Sequence, residues 1–384
     1  MLLEVEQRGS ALKGIDLSPE LLMAREVARR FADEELRPKA TEVDREGKVS
    51  REVIARAAEW DGGGLGYTGY CLIIEELARG CMSTAVIIGG HTALGASAIW
   101  LAGSQLQKEK FLKPLARGER IAAFALTEPQ AGSDAGAIRT MAHPISNGWC
   151  INGQKTFITN GGLADLYVIF ARTNEDRGTR GISAFIVEAQ YPGLTVGGVE
   201  DKMGIRGAHT TDLFFEDLHI PTENLLGEIG DGFSVAMKAL EVGKLSVAAI
   251  CLGVAKEALK LAVQYAHQRV QFGRPIEHQQ AVRFMIADMA TEIFALESIV
   301  YRTAHIADEG LPFGTEATIC KLMGSEILDR VVDKAVQIFG GLGYMKECPV
   351  ERLYRDARIT RIFEGTSEIQ RLIIAKDILG KVPY

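Results

Sequence analysis

The 384-residue chain has no basic excess, no cysteines at paired spacing and no unbroken apolar run of membrane-spanning length, and each absence removes a class of function. Its 43 Lys and Arg stand against 50 Asp and Glu, a formal charge of −7. Without a long basic block, a nucleic-acid partner is not expected. Apolar stretches such as Leu245 to Ala255 are interrupted by Ser246 and Gly253. They fall short of the ~20 residues that cross a bilayer, so no membrane insertion is expected. The six cysteines are scattered, and a chain this long needs no disulfide staples, so they read as reduced, mostly buried thiols. Seven histidines without ligand spacing argue against a metal site. His-Glu-x-x-His, the P-loop pattern and Gly-x-Ser-x-Gly are all missing. The N-terminus carries neither a secretory nor an Arg-rich amphipathic presequence, which makes a cytoplasmic protein the expectation.

What is present is a change of grammar along the chain. From Ser18 to Ala58 the apolar residues fall at helical spacing, with Pro19 in a first turn and Pro38 as a break. Helices resume over Tyr70 to Ala78 and Val86 to Leu115. Between Ile121 and Asp217 the pattern shortens to strand-like runs at Ile121–Leu126, Gln154–Thr159, Tyr167–Ala171, Ile182–Val187 and Leu213–Phe215. Asn147-Gly148, Asn152-Gly153 and Asn160-Gly161-Gly162 read as turns between them. After Gly232 long helical segments return, over Phe233–Gln268, Ala281–Asp308, Thr315–Phe339 and Ser367–Leu379. Joined by short connections, they predict an antiparallel bundle.

Gly64-Leu65-Gly66-Tyr67-Thr68-Gly69 fits a dinucleotide fingerprint but follows a helix and lacks the later acidic residue, so it reads as an interhelical loop. Arg352, Arg355, Arg358 and Arg361 recur every three residues with Glu351 and Asp356 interleaved, which suggests a salt-bridged or intersubunit face rather than a phosphate patch. Three runs carry more chemistry. Ala125 to Asp134 leaves a strand for a turn of small and hydroxyl residues that can offer N–H groups to a polar ring or phosphate, though an ordinary turn would look the same. Gln337 to Tyr344 ends a helix with three glycines, as a ligand contact or a plain helix cap would. Arg361 to Arg371 places Glu364 beside Gly365, just ahead of a helix whose cap reads as Ser367 with Gln370. Taken alone, Glu364 reads more simply as a surface glutamate near a helix N-terminus.

Together these runs resemble the acyl-CoA dehydrogenase family over nearly the whole chain. Ala125–Ala137 resembles its first signature, and Gln337–Gly343 with Glu347, Arg352 and Asp356 its second; Phe157–Gly161, Arg269–Gly273 and Phe363–Ser367 fall in the same order and spacing. The resemblance implies an α+β multidomain protein: an N-terminal α-helical domain (1–119), a central β-barrel domain (120–228) and a C-terminal four-helix bundle (229–384). It implies FAD, with Phe124, Leu126 and Thr127 on the pyrimidine side and Phe157, Ile158 and Thr159 flanking the ring, Phe157 standing where many relatives have Trp. Arg269, Phe272, Gln280, Gln337, Gly340 and Gly341 would reach the FAD of a neighbouring subunit in a homotetramer built as a dimer of dimers. Thr366 and Glu368 join the cofactor set, and Ser133, Glu241, Lys244 and Gly365 the substrate set.

By the same resemblance Glu364 is the catalytic base, since the alternative position on the first bundle helix is Gly243, which takes no proton. The implied reaction, of the kind used in fatty acid β-oxidation, removes the α-proton of a saturated acyl-CoA while hydride leaves the β-carbon for flavin N5. The product is a trans-2-enoyl-CoA, and the thioester oxygen is held by a ribityl hydroxyl and the N–H of Glu364. Electrons would pass to an electron-transfer flavoprotein. The alternatives are an acyl-CoA oxidase using oxygen and a non-catalytic flavoprotein scaffold. Two departures stand out: Glu241 and Lys244 replace the commoner Asp and Arg, and the connection Glu59 to Gly64 is shorter than in relatives and bears on the acyl pocket.

Overall fold

Ser18 opens the first helix: its hydroxyl accepts the Leu21 N–H and Pro19 takes the first helical position of α1 (Pro19–Phe31). The computed structural model describes residues 17–61 and 64–380. Pro38 lies in a 3₁₀ turn, Arg37–Lys39, that separates α1 from α2 (Ala40–Glu46), as its missing N–H requires. Further helices are α3 (Arg51–Asp61), α4 (Gly66–Gly80), α5 (Met82–Gly89), α6 (Ser97–Ala102), α7 (Gln105–Gln107) and α8 (Lys113–Ala116). Between α5 and α6 the chain widens into a π-helical turn, Gly90–Ala96. The short connection Glu59 to Gly64 includes Gly62 and Gly63, which lie outside the described residues.

The expected central β domain is an eight-stranded sheet of β1 (Ala122–Ala125), β2 (Met141–Ile145), β3 (Gly148–Thr159), β4 (Leu166–Arg172), β5 (Ile182–Glu188), β6 (Leu194–Val199), β7 (Thr210–Pro221) and β8 (Leu225–Leu226). The hydrogen-bonded path runs β6-β7-β3-β2-β4-β5-β8, with β1 added parallel to β4, and among the described residues no ladder joins its ends. Asn152-Gly153, expected as a turn, instead lies inside β3 as a bulge between Ile151 and Gly153. The pairing of β3 with both β2 and β7 carries the strand through this local turn signal.

The C-terminal helices are α9 (Gly232–Gln268), α10 (Gln280–Asp308), α11 (Gly314–Phe339), α12 (Pro349–Ala357) and α13 (Ser367–Leu379), with a small hairpin, β9 (Val270–Gln271) and β10 (Arg274–Pro275), after α9. The arginine run is a salt-bridged face: Arg355 pairs with Asp44 and Glu351, Arg361 with Asp329, and Arg352 donates to Thr41 Oγ1. Five cysteines are buried and Cys150 is partly so, all as free thiols.

Helix α4 is the joint between the N-terminal helices and the bundle. Gly253 lets α9 press against it, since a Cβ there would lie 2.1 Å from the Glu75 carbonyl oxygen. Glu75, fully buried, accepts from Lys256 of α9 at 2.6 Å and from the Tyr301 hydroxyl of α10 at 2.5 Å, and Lys256 also reaches Glu297. Glu76, the next residue, is ringed by Arg25, Arg29 and Arg79. Burial alone would raise its pKa, but Arg79, Arg25 and Arg29 outweigh burial and hold it at about 2. The run Met82–Ala102 is long and apolar enough by composition to span a bilayer, a feature the sequence reading passed over, but most of it packs inside the protein.

Removing one partner of a buried ion network leaves the others uncompensated, so Glu76→Ala is expected to cost about 3–5 kcal/mol in urea unfolding at neutral pH. Because the folded-state pKa is depressed from 4.5 to about 2, the contribution is complete above pH 4.5 and fades as pH falls through 2. Parallel stability curves of the two proteins between pH 5 and pH 2 would contradict this.

Candidate active site

The helix that follows Glu364 is capped by Thr366, whose Oγ1 accepts the Ile369 N–H at 3.3 Å, and Ser367 is its first helical residue. The expected Ser367–Gln370 capping box is therefore displaced. Gln370 turns back instead, donating to the carbonyls of Glu364 at 3.0 Å and Gly365 at 2.9 Å. The fully buried ammonium of Lys321 on α11 also donates to the Gly365 carbonyl. These ties hold two successive residues left-handed, Glu364 at φ 53° and Gly365 at φ 91°. A left-handed non-glycine residue costs about 1–3 kcal/mol and persists only where its surroundings over-determine it.

The turn aims the Glu364 side chain at α9. A Cβ at Gly243 would lie 2.2 Å from Glu364 Oε2 and 2.7 Å from Leu94 Cδ2, so the glycine makes the space that the carboxylate fills. Although the residue as a whole keeps some open surface, Oε2 is shut off from solvent and has no hydrogen-bond partner. Burial is the main reason its pKa rises to about 7, opposed by the cations Lys321 and Lys244. The Glu364 N–H also meets no acceptor among the described residues. Lys244, on the same helix as Gly243, is buried and donates to Thr318 Oγ1 at 3.1 Å; burial lowers its pKa, against Glu241 and Glu364. Glu241 is half-buried, with its pKa raised by burial against Lys244 and Lys238.

The π-helical turn carries this carboxylate to the sheet. Leu94 sits against the Gly243 backbone, His91 Nδ1 accepts the Ala122 N–H of β1 at 3.0 Å, and Gly90 lies against Thr159. Asn160, left-handed and fully buried, donates to the carbonyls of Ile87 and Ala122 and closes the junction. On the sheet, buried Lys155 pairs with Glu128 at 2.7 Å and donates to the Leu126 carbonyl at 3.0 Å, while Thr156 N–H donates to the Thr127 carbonyl. Tied to the Leu126–Glu128 turn in this way, β3 bulges between Lys155 and Ile158, and Phe157, at φ 56°, turns outward with 66% of its surface exposed.

Phe124, Leu126, Thr127, Phe157, Ile158 and Thr159 therefore lie together on β1, β3 and the turn between, and Glu364, Gly365, Glu241 and Lys244 gather where α9 meets the 364 turn. Ser133 is exposed on the loop after β1, and Glu368 is exposed on the first turn of α13. Arg269, Phe272, Gln280, Gln337, Gly340 and Gly341 are not brought to Glu364. They are exposed at the other end of the bundle: at 1.5 Å per residue Arg269 lies roughly 40 Å along α9 from Gly243, and Gln337 roughly 24 Å along α11 from Lys321. Phe272 is 94% exposed and left-handed at φ 52°. Among the site's polar residues, Gln370 and Asn160 read in the sequence only as a capping partner and a turn residue, and Lys321 and His91 carry no site signal there. Lys321, His91 and Asn160 bond to partners remote in the chain, while Gln370 bonds back to two carbonyls just ahead of its own helix.

Residues 18–119, 123–218 and 230–379 match the N-terminal, middle and C-terminal domains of acyl-CoA dehydrogenase, respectively. The chain is 43% identical to the short-chain specific acyl-CoA dehydrogenase of Clostridium acetobutylicum, over 94% of this chain and 99% of that one. Among solved structures it matches butyryl-CoA dehydrogenase from Megasphaera elsdenii with a TM-score of 0.93 at 42% identity, covering 95% and 99% of the two chains. A chain in a structure described as the electron transferring flavoprotein of Acidaminococcus fermentans matches with a TM-score of 0.94 at 40% identity, covering 96% and 100%. Three domain matches in order, and relatives above 40% identity over nearly the full length, place this chain in the acyl-CoA dehydrogenase family.

Proposed function

We infer that the protein is an FAD-dependent acyl-CoA dehydrogenase that converts a saturated short- or medium-chain acyl-CoA into its trans-2-enoyl-CoA, with Glu364 as the base. The observation that carries this reading is the Glu364 carboxylate, held on a left-handed turn with one oxygen dry and unpartnered. A scaffold protein gains nothing from such a costly group. The names of the relatives, butyryl-CoA and short-chain specific, favour a short acyl group.

The residues present fit a flavin. An exposed aromatic face at Phe157, and the Phe124–Thr127 strand end with Ile158 and Thr159 beside it, offer a platform linked to Glu364 through the π-helical turn. FAD, when bound there, supplies the hydride acceptor. Glu364 takes the α-proton, and its elevated pKa makes it a stronger base than an ordinary carboxylate. Its unengaged backbone N–H is available to the thioester oxygen, where negative charge develops. Lys244 and Glu241 lie beside this pocket, with Ser133 on the sheet side for the CoA arm. The second cofactor set, exposed at the far end of the bundle from Glu364, suits the FAD of another protomer, which supports an oligomer, read here as a homotetramer. Division into 1–119, 120–228 and 229–384, a cytoplasmic location and electron transfer to an electron-transfer flavoprotein complete the proposal.

Anaerobic addition of butyryl-CoA is expected to bleach the oxidised flavin band; no bleaching by any straight or branched acyl-CoA would overturn the assignment. Glu364→Gln should retain FAD while slowing bleaching by about 10²–10⁴-fold. Because the base acts ionised, the wild-type rate climbs with pH through about 7 and at pH 6 stands near a tenth of its plateau, roughly. Gly243→Ala, whose Cβ would displace Oε2, should slow reduction by about 10²-fold with FAD content unchanged.

A further inference from the structure

We propose that Lys321 is a positioning residue for the base: its buried ammonium, tied to the Gly365 carbonyl, fixes the left-handed turn that aims Glu364 and serves as the counter-charge of that carboxylate. The inference rests on the assignment of Glu364 as base. Lys321 projects from α11 with no exposed surface, and among the described residues the Gly365 carbonyl is its one hydrogen-bond acceptor. An ammonium taken out of water with a single neutral acceptor is costly unless a negative charge lies near. The groups whose charge it feels are Glu364, Cys251 and Lys244 of α9, and Glu368 of α13. Glu368 is exposed and the Cys251 thiol is pushed up to about 12, which leaves Glu364 as its buried anion.

The spacing matters as much as the charge. Among the described residues no lysine or arginine nitrogen lies within 4.0 Å of the Glu364 carboxylate, and Oε2 accepts no hydrogen bond. A direct ion pair would neutralise the base and occupy the lone pair that must take the proton. A cation one step removed, anchored on the adjacent carbonyl, stabilises the ionised form and leaves that lone pair free. Lys244 faces the same carboxylate from α9 but is bonded to Thr318 and shares its charge with Glu241.

The test is the pH profile of Lys321→Met and Lys321→Gln holoenzymes beside infrared titration of the Glu364 carboxyl band, identified by its loss in Glu364→Gln. Loss of the cation should move the Glu364 titration and the acid limb of kcat/KM upward together, so that the activity deficit is about tenfold larger at pH 6 than at pH 9, where the remaining deficit reports the loosened turn. A variant with a lowered Tm but an unmoved titration would show a structural lysine and overturn the inference. Lys244→Met supplies the control should neither Lys321 variant fold: a Glu364 band that stays within about one pH unit supports Lys321, and a larger shift assigns the counter-charge to Lys244 instead. Wild-type protein that fails to bleach with acyl-CoA would instead sink the base assignment itself, a result separable from all of these.

Discussion

The buried contact between Glu75 and Lys256 is the constraint on which the rest of the architecture depends. It locks α4 to α9 at the point where Gly253 lets the two backbones nearly touch. From that joint α9 runs toward Gly243 and Lys244, and the chain after α4 runs through α5 into the π-helical turn that carries Leu94 and His91. The carboxylate pocket is thus bounded by two segments whose relative placement is set in a dry interior some distance away. Burying so much charge stabilises the fold little in net terms, but it tolerates no misregistration, because a displaced Glu75 or Glu76 would be left without its cations.

A second theme is backbone strain spent at particular points. Of the six left-handed non-glycine residues among those described, four are Phe157, Asn160, Glu364 and Phe272. Three of them lie on the β3 edge and the Glu364 turn, and the fourth on the exposed hairpin at the far end of α9. In each of the first three the conformation is enforced by named ties: the Lys155 and Thr156 bonds to the Leu126–Thr127 carbonyls, the two carbonyls held by Asn160, and the Gln370 and Lys321 bonds around Gly365. The strain orients side chains that an ordinary turn or strand would point elsewhere.

Much of this was legible in the residues alone, for reasons that differ from element to element. The four long C-terminal helices and the strands at Tyr167–Ala171 and Ile182–Val187 have strong periodicity and clean boundaries, and the structure places them within a residue or two. β2, β6 and β8 escaped: Pro144 sits within β2, Gly197 and Gly198 interrupt β6, and β8 is two residues long, so their strand character comes from partners rather than from composition. The π-helical turn is invisible for another reason, because widening a helix by one residue leaves its apolar pattern almost unchanged. Ser367 resembled the cap because Thr and Ser are near equals there, and the clamp by Gln370 decided between them. The position of Glu364 was readable, and so was its desolvation beside flavin and acyl chain; the part played by Leu94 in drying its oxygen was not, because Leu94 lies far away in the chain.

The absence of a side chain at Gly243 also bears on how such a protein can change over generations. The two residues compete for one seat, so a glutamate arriving on α9 would collide with the resident acid, and loss of the resident acid first would leave the seat empty. Either first step disturbs the carboxylate, by pushing Oε2 aside or by removing it. The glycine on α9 and the acid on the turn are thus a matched pair, and an acid seated on α9 is best accommodated where the turn carries a smaller residue.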